Sequence, residues 1–134
     1  MKKILFLFAL VVGMLTTQAQ NSTVINGNLV DTLQTGGDTV TYTISTTAGY
    51  SAIGIQPVVT KVSGTVAGSV ILYGSLDGIN YVSLGDTMSL TDVATNTTLW
   101  AKVTTPYTRY RLVFISSGTQ VSIPRVYYVL RRHN

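Results

Sequence analysis

Few side chains in this sequence could carry acid–base or nucleophilic chemistry. The 134 residues include one His, no Cys and five acidic residues, all of them Asp. His133 lies next to the C-terminus, where chain ends are usually solvated. A serine triad needs a positioned histidine base, glycoside hydrolysis usually needs two carboxylates at a fixed separation, and thiol catalysis and thiolate zinc sites need Cys. The composition predicts a protein that is not an enzyme and that uses no cofactor.

The acidic residue with the clearest motif is Asp77, in the stretch GSLDGINYVSLGD at positions 74–86. A calcium-binding helix–loop–helix needs acidic or amide side chains at its third and fifth positions and a Glu at its twelfth. Asn80 stands at the fourth position, and the chain has no Glu. Asp-Gly between two alternating apolar runs is instead a strong hairpin signal, because Gly adopts positive φ without steric cost. We predict a turn without a metal; a looser calcium cage at Asp77 and Asn80 is the alternative.

Aromatic residues near turns are the candidates for ligand stacking. Trp100 is the single Trp of the chain. A lone Trp in a sandwich usually belongs to the core, but it could also serve as a platform for a sugar ring. Tyr50, Tyr81 and Tyr107 lie near predicted turns. They could extend such a platform, or they could cap the ends of the core.

Arginines near the C-terminus are the candidates for anion binding. We predict a hairpin around Gly118 in which Ile115 pairs with Val121, so that Arg111 faces Arg125. Like charges directly opposite each other are destabilising unless an anion offsets them. The alternative is a solvated face on which the arginine stems cover apolar surface. The predicted outer face carries Arg109, Arg111, Arg125, Tyr127 and Arg131.

The elements that must position these residues are strands. Apolar residues recur at every second position in several segments, and Gly or Pro turn signals interrupt the chain about every ten residues. This pattern is typical of a single antiparallel all-β sandwich, which we expect to be jelly-roll-like. The expected inward-facing sets are Val40, Tyr42, Ile44, Tyr110, Leu112, Phe114, Val126, Tyr128 and Leu130. We predict about eight strands, near 22–33, 38–46, 51–63, 68–75, 79–84, 97–104, 108–116 and 120–131.

The hairpin sequence resembles a known family. YGSLDGINYVSL is similar to the G-S-x-D-G-x-x-W hairpin of discoidin-like, galactose-binding-like β-sandwiches, and to hairpins of small phage virion proteins and exported bacterial proteins. TPYTRYRLVFI (105–115) and SIPRVYYVLRR, which follows it, look like the later strands of such domains. The likeness covers residues 70–132 and implies the fold. Tyr81 stands where discoidin-like sequences usually carry Trp, and their sugar-binding loops have no residue-by-residue match here.

The first residues have the three parts of a secretory signal peptide. Lys2 and Lys3 precede an apolar run at 4–15, and small residues stand at Thr17 and Ala19. We predict a leader at 1–19, cleaved after Ala19, and a sandwich domain at 20–134. An uncleaved anchor is the alternative, although the run is shorter than the ~20 residues of a membrane span, so no span is expected after cleavage. The remaining chain carries seven basic and five acidic residues, a balance that does not predict nucleic-acid binding.

These patterns predict a non-catalytic structural or binding module, exported to a cell or particle surface. One alternative is a carbohydrate-binding module that uses Trp100 and the tyrosines near turns. The other is a phage virion accessory or decoration protein, which the resemblance allows. The expected partners are a surface glycan or neighbouring protein subunits, with weak anion binding and a homo-oligomer as further options. The expected location is secreted or at the bacterial cell surface, with the virion as the alternative.

Overall fold

The computed structural model describes residues 31–46, 50–102 and 107–132. Within those ranges the chain is all-β and has no helix. The eight strands form two antiparallel sheets, which confirms the predicted fold class and strand number. The strands are β1 (Thr39–Ser45), β2 (Tyr50–Ser63), β3 (Gly68–Ser75), β4 (Val82–Leu90), β5 (Thr95–Thr97), β6 (Trp100–Lys102), β7 (Arg109–Ser116) and β8 (Val121–Arg132).

The two sheets have four strands each. Sheet I has the order β1-β7-β3-β4, so that β7 and β3 lie at its centre. Sheet II is built around the long strand β2, which pairs with β8 along most of its length and with the short strands β5 and β6. Every one of these pairings is antiparallel.

The core lies between the sheets and follows the predicted alternation. Val40, Tyr42 and Ile44 of β1 are buried, and their neighbours in the strand are exposed. Of the residues predicted to face the core from the last two strands, three of β7 and one of β8 are buried, and two further residues of β8 pack half-buried against it. The rings of Tyr42 and Phe114 meet edge-on with centroids 5.4 Å apart. The predicted residues of β7 and β8 are Tyr110, Leu112, Phe114, Val126, Tyr128 and Leu130.

The predicted hairpin between β7 and β8 is wrong. Ile115 pairs with Thr39 and Ser69 inside sheet I, whereas Val121 pairs with Ser63 in sheet II. The segment between the two strands crosses from one sheet to the other. It is held there because the backbone N–H of Ala67 donates to the buried Gln120 side chain at 2.7 Å. A Gly-containing turn signal does not distinguish a hairpin from a crossing between sheets.

Some strand boundaries also differ from the prediction. The strand expected at 79–84 begins at Val82 and continues to Leu90, with a register shift opposite Ile71 and Tyr73. The strand expected at 97–104 is divided between β5 and β6. Of the strand expected at 22–33, only the end is described: Leu33 forms a bridge with Ser122. The predicted leader lies outside the described residues, and no helix in the described ranges has the length and hydropathy of a membrane span.

One edge of β8 is closed by a proline and a tyrosine. Ser122 exchanges backbone hydrogen bonds with Leu33, donating at 3.0 Å and accepting at 2.9 Å. Residues two apart in a strand direct their backbone groups to the same edge, so the carbonyl of Pro124 points to the edge at which Ser122 bonds Leu33. Pro124 has no N–H to offer there, and its carbonyl accepts a 2.8 Å bond from the Tyr42 hydroxyl. Tyr42 belongs to β1, so this bond also joins the two sheets.

Candidate functional site

Residues 76–81 connect β3 to β4, and Asp77 organises this loop. Its Oδ1 accepts hydrogen bonds from the Ser75 hydroxyl at 2.9 Å and from the backbone N–H groups of Ile79 and Asn80, each at 2.8 Å. Its Oδ2 accepts a 2.6 Å bond from the Asn80 side chain. These bonds, led by the Ile79 N–H, hold the pKa of Asp77 well below its usual range. Asp77 therefore serves the turn, as predicted.

The same loop is anchored to β7. The Thr108 hydroxyl donates to the Leu76 carbonyl at 2.7 Å. Gly78 has φ +76°, and a Cβ at this position would lie 2.7 Å from Nε of Arg109. The Arg109 side chain thus packs directly on Gly78. The left-handed backbone favours Gly at this position, and a Cβ would also require the Arg109 side chain to move.

The loop and sheet I together form an open groove on the outer face of the sheet. Tyr73 of β3 pairs with Arg111 of β7, and both alternate with buried residues. The loop adds residues from the side of β4. The groove has a volume of about 330 Å³ and is lined by Tyr73, Ile79, Tyr81, Arg111 and Val113. We call it the Tyr81 groove.

Arg111 and Tyr81 are in direct contact within this groove. The Arg111 Cζ lies 3.5 Å from the centroid of the Tyr81 ring, a cation–π arrangement. The Arg111 Nε is buried and has no hydrogen-bond acceptor. In the described part of the chain the ion pairs are Lys61–Asp92 and Lys102–Asp86, so the charge of Arg111 is not neutralised by a carboxylate there.

Two of the predicted platform residues lie in or against the core. Trp100 is 9% exposed and belongs to the hydrophobic cluster. Tyr107 lies over Gly74, where a Cβ would come within 2.8 Å of its ring, and it meets Tyr110 edge-on at 5.8 Å. Tyr50 begins β2 and is half-buried. Tyr81 is thus the member of this predicted set that lines the groove.

The predicted arginine cluster is divided between the two sheets. Arg109 and Arg111 lie on sheet I. On sheet II, Arg125 pairs with Val58. Tyr127 and Arg131 follow Arg125 at alternate positions of β8, and all three face away from the core that takes up Val126. The two groups occupy opposite faces of the sandwich, because β7 and β8 belong to different sheets.

Three lining residues were not among the predicted site residues: Tyr73, Ile79 and Val113. The positions of Tyr73 and Val113 in alternating strands indicate an outer face, but only the pairing of β3 with β7 places them together. Ile79 is 80% exposed, which is unusual for a large apolar side chain in a short turn. The signal available in the sequence was a large apolar residue, Ile79, directly after the Asp77-Gly78 turn.

The groove offers aromatic faces, apolar surface and guanidinium donors. None of its five lining residues is acidic, and none is a histidine. Among the described residues, no three or more His, Cys, Asp or Glu side chains are grouped as a metal ion would require. Such an arrangement can hold a ligand by stacking and hydrogen bonding.

No protein-family model matches this chain, and no curated protein matches its sequence. Solved structures do match. The enzymatically active domain of tailspike protein 4 from bacteriophage CBA120 superposes with a TM-score of 0.52 at 16% identity, over 81% of this chain and 18% of that chain. The PBSX exported protein XepA gives 0.51 at 12% identity, over 84% and 37%.

This chain has a β-sandwich fold found in phage and exported proteins. That finding confirms the resemblance at the level of the fold. A family 16 carbohydrate-binding module gives a TM-score of 0.42 at 10% identity, over 87% of this chain and 88% of that chain, too low to bear on a ligand. The chain spans well under half the length of the tailspike and XepA chains, and identities this low concern architecture alone.

Proposed function

We propose that this chain is a non-catalytic binding module, exported to a surface, that holds a carbohydrate in the Tyr81 groove. The observation that carries the proposal is the convergence of two tyrosine rings and one guanidinium on a solvent-open groove of sheet I. Its volume of about 330 Å³ lies within the ~300–1,000 Å³ of small-molecule sites.

The chemistry of the lining suits a sugar. The apolar face of a sugar ring packs on aromatic faces, and its hydroxyls pair with fixed donors and acceptors. Tyr73, Tyr81 and Arg111 supply both kinds of contact. The hydrogen bonds around Asp77 fix the backbone that carries Ile79, which limits the conformational entropy lost on binding.

The non-catalytic part of the proposal rests on the residues around the groove. Glycoside hydrolysis usually needs an acid and a second carboxylate within reach of the bond that is cleaved. Asp77 is the carboxylate of the adjoining loop, and four hydrogen bonds engage it. The low pKa of Asp77 keeps it ionised, which is unsuited to a general acid.

A glycan array with matched tyrosine variants tests the carbohydrate proposal. We expect Tyr81→Ala to weaken binding about tenfold, the loss of one stacked ring. Tyr127→Ala is the control, because Tyr127 is a half-buried tyrosine on the outer face of sheet II. Equal affinity of the Tyr81→Ala variant and the wild type, or no binding to any glycan, would contradict the proposal.

Export rests on the leader pattern at residues 1–19. We propose cleavage after Ala19, which leaves Gln20 as the first residue. Intact-mass measurement of the protein from its native host tests this directly. A full-length species in a mature assembly would favour a retained anchor or a virion component instead.

A further inference from the structure

We infer that the Tyr81 groove selects carbohydrates that carry a carboxylate, such as a uronate or a sialic acid, and that Arg111 is the residue that recognises it. This inference rests on the function proposed above and deepens it. Recognition of the carboxylate would give the Tyr81 groove a ligand selectivity that a groove binding neutral sugars by stacking alone does not have.

The first argument is the unbalanced charge of Arg111. Its strand neighbours across the two ladders are Thr43 of β1 and Tyr73 of β3, both neutral. The loop places the Tyr81 ring over the guanidinium, which is also neutral. Because a half-buried charge without a counter-ion is costly, a ligand anion would be favoured at this position over a neutral group.

The second argument is the unused hydrogen-bonding capacity of the same side chain. The Arg111 Nε–H has no acceptor, although it is buried. A guanidinium carries five N–H donors in one plane, and this geometry matches the two oxygens of a carboxylate. Because the Nε–H is covered by the protein, a bound carboxylate would accept from the terminal Nη–H groups of Arg111, which form no hydrogen bond or ion pair among the described residues.

The third argument is orientation. The Arg111 Cζ lies 3.5 Å from the centroid of the Tyr81 ring, a contact that restricts the guanidinium before any ligand arrives. Arg109, two residues earlier on the same face of β7, adds a second positive charge, and its side chain lies against Gly78. Both features favour a planar anion over a neutral hydroxyl group.

The test is a glycan array that contains neutral, sulfated and carboxylated members, followed by titration of the best binder. We expect carboxylated glycans to bind and Arg111→Gln to weaken their binding by about tenfold or more, the loss of a charge-assisted hydrogen bond. Arg111→Lys keeps the charge and should recover only part of the affinity, because a lysine cannot form the planar bidentate contact. Arg125→Gln, on sheet II, is the control and should bind like the wild type.

The outcomes separate this inference from the function on which it rests. Neutral glycans that bind as well as carboxylated ones would overturn the inference and leave the carbohydrate site in place. Sulfated glycans that bind as tightly as carboxylated ones, or full recovery in Arg111→Lys, would overturn the role of planar recognition. Absence of binding to every glycan would overturn both. Thermal melts establish that each variant is folded.

Discussion

Two buried tyrosine hydroxyls of sheet I have opposite environments. The hydroxyl of Tyr42 donates to the Pro124 carbonyl at 2.8 Å. The hydroxyl of Tyr110 is buried without a partner. A buried polar group that loses its partner costs about 1–3 kcal/mol, whereas removal of a group that has no partner relieves a cost already present.

We therefore predict that two conservative substitutions differ in sign. Tyr42→Phe should lower the free energy of unfolding by about 1–2 kcal/mol, because it leaves the Pro124 carbonyl without a donor. Tyr110→Phe should leave the stability unchanged or raise it. Urea unfolding followed by the fluorescence of Trp100 measures both. Equal destabilisation by the two variants would contradict the assignment of their hydrogen bonds.

Gly78 is the residue on which the loop of the Tyr81 groove depends. Gly78→Ala should destabilise the protein by about 1–2 kcal/mol, the cost of placing a Cβ in the left-handed region. It should also displace Arg109, which packs there. The control is Gly36→Ala: its nearest atoms would be 3.6 Å from the new Cβ, and we expect a change below about 0.5 kcal/mol. A similar loss in both variants would mean that Gly78 has no special role.

At the scale of elements, an irregularity in β4 joins the two sheets. The register shift opposite β3 surrounds Gly85, which has φ +81°. The next residue, Asp86, forms an ion pair with Lys102 of β6. Its carboxylate and the Lys102 side chain are 22% and 29% exposed. The shift therefore turns a carboxylate from an edge strand of sheet I toward sheet II.

We expect this ion pair to be stronger than the more exposed pair of Lys61 and Asp92. A double-mutant cycle with Asp86→Asn and Lys102→Met should give a coupling energy of about 1–3 kcal/mol. The Lys61–Asp92 cycle should give about 0.2–1 kcal/mol, as exposed pairs do. Thermal or urea unfolding supplies the values. Similar couplings would show that burial does not distinguish the two pairs.

The elements that sequence could predict are those specified by local signals. The alternation around Tyr42 and around Leu112 identified strands and their buried faces, and the Asp77-Gly78 turn identified the β3–β4 hairpin. The partner of each strand could not be predicted from these local signals. Residues 109–116 have the same alternation whether they pair with β8, as predicted, or with β1 and β3, as they do.

The candidate site could be predicted only in pieces for the same reason. Tyr81 was identified as an aromatic residue near a turn, and Arg111 as an outward-facing arginine. Their contact at 3.5 Å depends on the β3–β7 register and on the path of the loop, neither of which has a local signal. Trp100 is the converse case: a residue suited to stacking is placed in the core by the packing of the whole domain.

At the scale of the whole molecule, buried tyrosines predict a loss of stability in alkali. Burial raises the pKa of Tyr110 to about 12, and burial also raises the pKa of Tyr42. Below pH ~10 both groups are protonated in the folded and the unfolded chain, so the free energy of unfolding does not change with their titration there. Above that pH the unfolded chain ionises first, and stability should fall by up to about 1.4 kcal/mol per pH unit for each such tyrosine.

Urea midpoints at pH 8, 10 and 11 measure this effect. The fall above pH 10 should be smaller in Tyr110→Phe, which lacks one of the titrating groups. A stability that is constant to pH 11, or a variant with the same decline as the wild type, would contradict this account of alkaline unfolding.

The order of strands has a consequence for the time at which the molecule can fold. β7 holds β1 next to β3, and β8 forms the longest ladder of sheet II, so each sheet depends on a strand that lies late in the order of the eight described strands. Contacts between distant parts of a chain form slowly, in about milliseconds to seconds for all-β domains. A nascent chain that ends before residue 109 should therefore give the circular dichroism of an unfolded protein. For a chain exported in the unfolded state, such late closure would keep the strands before residue 109 competent for translocation until β7 and β8 have been synthesised.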